Sequence, residues 1–334
     1  MSRLFFLFVS RVYDYQKKTS DFVRQNGTKI DFDRNSWCIL SPIEQSIKRK
    51  IEAIGVPLKD WNISINYGIK TGCNEAFIID GETKDALIAQ DPKSAEIIRP
   101  ILRGRDIKRY SYDFADKWLI ATFPSKHYNI DDYPAIKNYL LSFGKEKLEQ
   151  SGRKDIGGIK GNNARKKTNN KWFETQDTIA YWDDFSKPKI VWAETIKIYF
   201  KGERNYPRFA YIKEPKFLDK TTFFMPVNEK NLYLIGILNS RLFEYLFDNS
   251  YSNILGIGSR GFQKNLFELL PVIERNNIND KEIKEIEKIL LSTNNLPSID
   301  VQNELDDIIF RIYHLTKEEV DYVLKETNVG RFLE

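Results

Sequence analysis

The sequence predicts an α+β fold: a mixed β-sheet domain with interspersed helices, followed by a C-terminal helical subdomain. Three observations carry this. Short apolar or alternating runs read as strands through most of the chain. Capping signals followed by apolar residues at helical spacing interrupt them. From Asn277 onward the pattern is helical alone. The chain has 334 residues, 41% hydrophobic and 13% aromatic, which is material for a large core. Three segments follow from this: 1–36 as an N-terminal segment or linker, 37–276 as the main domain, and 277–334 as the helical subdomain.

Leu4–Val9 is apolar but short and reads as a buried strand, too short for a secretory signal or a membrane span. Ser41-Pro42-Ile43-Glu44 opens a helix with a capping box and a first-turn proline, and Ile43, Ile47, Ile51 and Ile54 share one face. Strands are expected at Ile63–Ile69, Ala76–Asp80, Trp118–Phe123, Lys189–Ala193, Arg208–Ile212 and Thr222–Val227. A helix is expected from Pro134 to about Leu148, with Asp131 and Asp132 at its positive end. Another spans Asn231 to Asp248. In the C-terminal segment Asn279 with Glu282 starts one helix, Pro297 breaks the pattern, and a second begins near Asp300. Thr316 with Glu319 has capping-box spacing for the last.

Charge is uneven. The net charge is +5, yet 151–171 holds Arg153, Lys154, Lys160, Arg165, Lys166, Lys167 and Lys171 against Asp155 alone, a local +6 that leaves −1 for the rest. Gly152–Asn170 also carries four glycines and four asparagines, so it reads as a loop. Two readings stand open: a solvated loop, or a phosphate-binding surface. Cys38 and Cys73 are too far apart in sequence to outline a disulfide framework or metal site. The only histidines, His127 and His314, read as structural. These features fit a reduced, cytoplasmic, metal-free chain.

The stretch Asn66-Tyr67-Gly68-Ile69-Lys70-Thr71-Gly72-Cys73-Asn74-Glu75-Ala76-Phe77-Ile78-Ile79-Asp80 leads to Ile98-Arg99-Pro100-Ile101-Leu102-Arg103-Gly104-Arg105-Asp106-Ile107-Lys108-Arg109-Tyr110. Asp132-Tyr133-Pro134-Ala135-Ile136-Lys137 and Lys187-Pro188-Lys189-Ile190-Val191-Trp192 follow. Then come Leu238-Asn239-Ser240-Arg241-Leu242, Leu269-Leu270-Pro271, Glu304-Leu305-Asp306-Asp307-Ile308 and Tyr313-His314-Leu315-Thr316. In this order, over about residues 37 to 325, the chain resembles the C-terminal specificity region of Type IIG restriction-modification enzymes, the TaqI-like target-recognition domain. The Leu-Asn-Ser helix and Leu-Leu-Pro close are also similar to Type I specificity subunits. In that family the parent polypeptide carries a nuclease, an adenine-specific methyltransferase, then this region. The resemblance implies sequence-specific double-stranded DNA binding. It places S-adenosylmethionine and magnesium in a partner or in other domains, with no cofactor in this chain.

Catalytic signatures are sparse. The amino-methyltransferase loop needs adjacent prolines before an aromatic, to hold the flipped base. None of the twelve prolines are adjacent. Gly256-Ile257-Gly258-Ser259-Arg260-Gly261 has the spacing of a dinucleotide or methyl-donor motif but follows a helix and a polar run, whereas the functional motif follows a strand and opens a helix. It is expected to be a turn, or a loop approaching a phosphate with Arg260 and Lys264 beside it. A metal-dependent endonuclease built on Glu203, Glu214 and Lys216 remains an alternative. So does a docking module whose C-terminal helices bind a methyltransferase.

Phosphate contacts are expected from Arg103, Arg105, Lys108 and Arg109, and from the basic loop through Arg153, Lys154, Lys160, Arg165, Lys166 and Lys167. The alternative for Arg103–Arg109 is a solvated turn with internal ion pairs. Base reading needs Arg or Lys to guanine and Asn or Gln to adenine. Lys70, Asn74, Asn162, Asn163 and Arg165 are the candidates, with Thr71 in the same glycine-flanked turn. Tyr67, Trp118 and Trp192 are expected in the core.

Overall fold

The computed structural model describes residues 40–198, 205–255, 258–292 and 297–327. Leu4–Val9, Cys38, Glu203, Gly256 and Ile257 lie outside the described residues. Helix α1 (Pro42–Ile54) starts at Ser41, whose hydroxyl accepts from Glu44 N while Ser41 N donates to the Glu44 carboxylate. Next come β1 (Gly55–Pro57), β2 (Asn66–Tyr67), α2 (Asn74–Phe77), β3 (Ile78–Asp80) and α3 (Gly81–Gln90). The strand expected at Ala76–Asp80 therefore begins only at Ile78, because Ala76 N and Phe77 N both donate to Cys73 O in a helical turn. Strands β4 (Ile98–Leu102) and β5 (Lys117–Ile120) follow. The helix expected from Pro134 to Leu148 divides into α4 (Pro134–Leu141) and α5 (Lys145–Leu148). The break is at Gly144, whose φ of +87° suits glycine.

Strands β6 (Lys189–Ala193), β7 (Thr195–Lys197), β8 (Phe209–Ile212), β9 (Phe217–Leu218) and β10 (Thr222–Pro226) come next, then α6 (Tyr233–Leu238) and α7 (Arg241–Leu246). The sequence predicts those two helices as one. The chain breaks at Asn239-Ser240 because both side chains are used there. Ser240 accepts from Phe243 N as the N-cap of α7, and Asn239 both donates to Phe209 O and accepts from Phe209 N. After β11 (Asn253–Ile254), β12 (Ser259–Gly261), α8 (Lys264–Phe267) and β13 (Pro271–Ile273) come α9 (Asp280–Ser292), α10 (Ile299–Ile312) and α11 (Lys317–Glu326). Ser298 and Thr316 cap the last two, and Thr316 forms the expected box with Glu319.

The central sheet runs β2-β10-β6-β8, all antiparallel; a second, mixed sheet runs β3-β5-β4-β9. Strands β11-β12-β7 and β1-β13 form two smaller sheets. Strict alternation sorts the central strands between two cores. Ile190, Trp192, Phe209, Phe223 and Met225 face one. Val191, Ala210, Ile212 and Phe224 face the other, with β3–β5 and α4. Burial on both sides explains why Lys189–Ala193 reads as a continuous apolar run. The fold is thus α+β. Its C-terminal helices do not stand apart: Ile283, Ile286, Leu305, Ile309 and Val323 enter the first core with Ile47 and Ile51 of α1. Both histidines occupy left-handed turns, at φ +51° and +54°.

Candidate nucleic-acid interface

The basic loop is held by one buried arginine. Arg165 is 4% exposed. Its Nε donates to Leu148 O, one terminal nitrogen to Thr71 O and Glu174 O, and the other to Trp172 O, at 2.6–2.8 Å. It lies over the Phe77 ring, 5.0 Å from the centroid. No carboxylate pairs with it in this set, and burial pulls its pKa down to about 10, still charged at neutral pH. Gln150 reinforces the pin, donating to Lys171 O, Glu174 O and Thr175 O and accepting from Gln176. Arg165, expected to touch DNA, is buried here with its donors spent on backbone carbonyls.

Lys154, Lys160, Lys166 and Lys167 stay exposed and form no ion pair among the described residues, while Arg153 lies 3.6 Å from Glu146. Asp155, the one acid here, accepts from Gly161 N. Asn162 and Asn163 are half-buried staples, Asn162 donating to Ile156 O and Asn163 accepting from Asp155 N.

Through Arg165 the loop joins the glycine-flanked turn. Gly72 has φ +77°, and a Cβ there would meet Gln176 Oε1 at 2.5 Å and Arg165 Cδ at 2.9 Å. Thr71 is fully buried, donating to Asn74 Oδ1 and accepting from Cys73 N, so its side chain shapes the turn and does not reach outward. Lys70 and Asn74 are exposed beside it. Gln176 N and Asp177 N both donate to Lys70 O, and the charges of Lys70 and Lys166 both bear on Asp177, so at least these two lysines lie near each other.

The segment after β4 forms a second basic surface. Arg103 makes a bidentate contact with Asp106, at 2.9 and 2.8 Å. Arg109, expected at a phosphate, is 2% exposed and donates to Asn239 O. Arg105 is exposed with no acidic partner among the described residues; Lys108 is 3.5 Å from Asp113. A cavity of about 520 Å³ opens beside them, lined also by Glu194, Thr195 and Lys197 of the β6–β7 edge, and by Asn205, Arg208 and Thr221. Sequence reading missed Thr195, Lys197, Asn205 and Arg208. The alternation Thr195 out, Ile196 in, Lys197 out was the available signal. One segment, Asp219–Thr222, ties this surface to the turn: Gly68 N donates to Thr222 O, and Gly104 N to Thr221 Oγ1.

The remaining candidates separate. Strands β11 and β12 pair antiparallel, and Ser259–Gly261 of the glycine motif is β12 itself, preceded by Gly258 at φ +71°, so the described part of the motif is strand and not the start of a helix. Arg260 is buried, 2.7 Å from Asp248, which removes it from the exposed set. Lys264 is half-exposed, 5.8 Å from the Tyr67 ring centroid. Tyr67 itself is 50% exposed, against the expectation of a core position, while Trp192 is fully buried. Glu214 is exposed and accepts from Tyr112, and Lys216 lies over the Phe114 ring.

The sequence profile described as the TaqI-like C-terminal specificity domain matches residues 99–272, just over half of the chain. The chain belongs to this family. The matched span holds the 103–109 segment, the basic loop and strands β6, β8 and β10 of the central sheet; β2, with the rest of the Asn66–Asp80 motif, and the C-terminal helices lie outside it. Curated relatives of this specificity-domain chain include the Type II methyltransferase M.BstVI of Geobacillus stearothermophilus, 23% identical over 86% of this chain and 46% of that protein. The Type II methyltransferase M.PaeR7I of Pseudomonas aeruginosa is 22% identical over 85% of this chain and 44% of that protein. The chain thus spans less than half the length of these relatives. Similar folds occur in the Type IIL restriction-modification enzyme MmeI in complex with DNA (TM-score 0.50, 15% identity, 82% of this chain, 36% of that one). The Type IIG restriction endonuclease BpuSI is also similar (TM-score 0.51, 11% identity, 86% and 32%). Among the described residues no helix is long and apolar enough to cross a membrane.

Proposed function

We propose that this chain reads double-stranded DNA sequence as the specificity module of a Type IIG-like restriction-modification system in the cytoplasm. It directs adenine methylation and cleavage performed by other domains or subunits. The observation that supports this most is the pinned loop: a buried Arg165 ties its backbone to the Thr71 turn while Lys154, Lys160, Lys166 and Lys167 remain exposed, Lys166 sharing the neighbourhood of Asp177 with Lys70. Fixed backbone with free cations suits phosphate contact, and Lys70 and Asn74 at its edge have the donors that base edges require. S-adenosylmethionine and magnesium belong to the catalytic partner in this reading.

The test is selection from a randomised duplex library by the purified chain at near-physiological salt. Enrichment of one short motif, at roughly a thousandfold or more over non-specific duplex, is expected. Salt-sensitive retention without enrichment would mean that base reading needs the methyltransferase alongside. No retention would sink the proposal and favour a docking role.

A further inference from the structure

The cavity beside Arg105 is chemically asymmetric. Of the basic groups around it, Arg103 is spent on Asp106, Lys108 lies 3.5 Å from Asp113, and Arg208 donates to Asn205 O and Lys197 O. Arg105 and Lys197 are exposed and have no acidic partner among the described residues. Of the two acids, Asp219 is 5% exposed and turned inward, accepting from Thr221 N and the Thr221 hydroxyl. Only Glu194 remains exposed, with Thr195 beside it. The walls come from the segment after β4, the β6–β7 edge and the approach to β8, so the two free cations are brought together by the fold and not by sequence proximity.

We propose that this cavity seats a phosphodiester of the DNA backbone, with Arg105 and Lys197 as its ion partners and the Thr195 hydroxyl as a further donor. The proposal rests on the DNA-reading function above. It makes the cavity a positioning site: a phosphate held here sets the register of the duplex without reading its sequence. Glu194 then acts against binding, as a carboxylate beside an anion.

The experiment uses the full chain and the duplex enriched in the selection described above. In the Arg105→Ala/Lys197→Ala double variant the Kd should rise on the order of tenfold at near-physiological salt. The slope of log Kd against log salt should fall by about 1. The enriched motif and the Tm should stay as in the parent, because both side chains are exposed. Glu194→Gln should tighten binding. An unchanged Kd in the double variant, a changed motif, or weaker binding by Glu194→Gln would each overturn the proposal; the last two would indicate base reading by an Arg and Glu pair. Inorganic phosphate is titrated in parallel. If it binds the parent and not the double variant while duplex affinity is unaffected, the cavity serves a free anion and the proposal fails. If the parent itself retains no duplex, the DNA-reading function fails first, which a defect of the cavity alone cannot produce.

Discussion

In the 151–171 loop one arginine is buried and the lysines around it stay outside. In the 103–109 segment two arginines are spent on the protein and one remains outside. The anchors differ in kind. Arg165 is satisfied by four backbone carbonyls and has no carboxylate in that set. Arg103 has Asp106, and Arg109 reaches Asn239 O in a pocket where its charge also bears on Glu244 and Asp306. Counting basic residues therefore overstates either surface as a ligand site. Burial separates the cations that build the backbone from those free to meet an anion, and the loop, with one internal pin, should be the more fragile of the two.

The largest effect expected from that contrast is at Arg165. Arg165→Ala takes the arginine donor from the carbonyls of Leu148, Thr71 and Trp172 and leaves Glu174 O with Gln150 alone, and should cost about 3 kcal/mol, seen as a lower denaturation midpoint. Trypsin should then cut at Lys166 and Lys167 faster than in the parent. Arg165→Lys should not restore stability, since one ammonium lacks the planar fork that serves four carbonyls. An Arg165→Ala variant of parental stability would show that the loop does not depend on its pin. Asn239→Ala comes next. It removes the reciprocal pair with Phe209 at the α6–α7 break and should cost about 2 kcal/mol. The thermal midpoint should fall while loop proteolysis stays unchanged, which separates the two regions.

pH should separate them again. Glu244 is buried on α7, 3.0 Å from Arg241. Burial raises its pKa to about 7, against the pull of Arg241 and Arg109 and with a push from Asp248. The folded chain therefore holds this proton at pH values where the unfolded chain has lost it. Between the ordinary glutamate value of about 4.3 and pH 7 the folded state binds more protons, so this contribution falls as pH rises through that window. Glu244→Gln should flatten the decline in denaturant midpoint over that range. Arg165, with its pKa at about 10, keeps its charge throughout and should leave the loop insensitive to the same change.

Much of this frame was legible locally. The Ser41 and Thr316 capping boxes depend on residues three apart, and both helices start where those spacings put them. Lys189–Ala193 is a strand over its full expected length because both of its faces are apolar. The breaks at Gly144 and Asn239 were not legible, since one needs a positive φ and the other a partner thirty residues away. Nor did sequence show that Arg165 is buried while Lys166 next to it is exposed. That choice is made by Thr71 O, ninety-four residues upstream. The cavity was hidden likewise, because Arg105 and Lys197 share no spacing and meet only through the fold.

The smallest structural effect should come from the loop's outer lysines. Lys166 and Lys167 are exposed and form no ion pair among the described residues, so Lys166→Ala/Lys167→Ala should move stability by no more than about 0.5 kcal/mol. If both meet phosphates, the salt slope of duplex binding should fall by about 2 with the enriched motif unchanged. This is the mirror image of Arg165→Ala: adjacent residues, one carrying stability and two carrying binding. Were the lysine pair to lower the midpoint by kilocalories and leave the salt slope alone, the division between pinning and contacting cations would collapse for this loop. The Arg105 side would then be the better-supported route for the duplex.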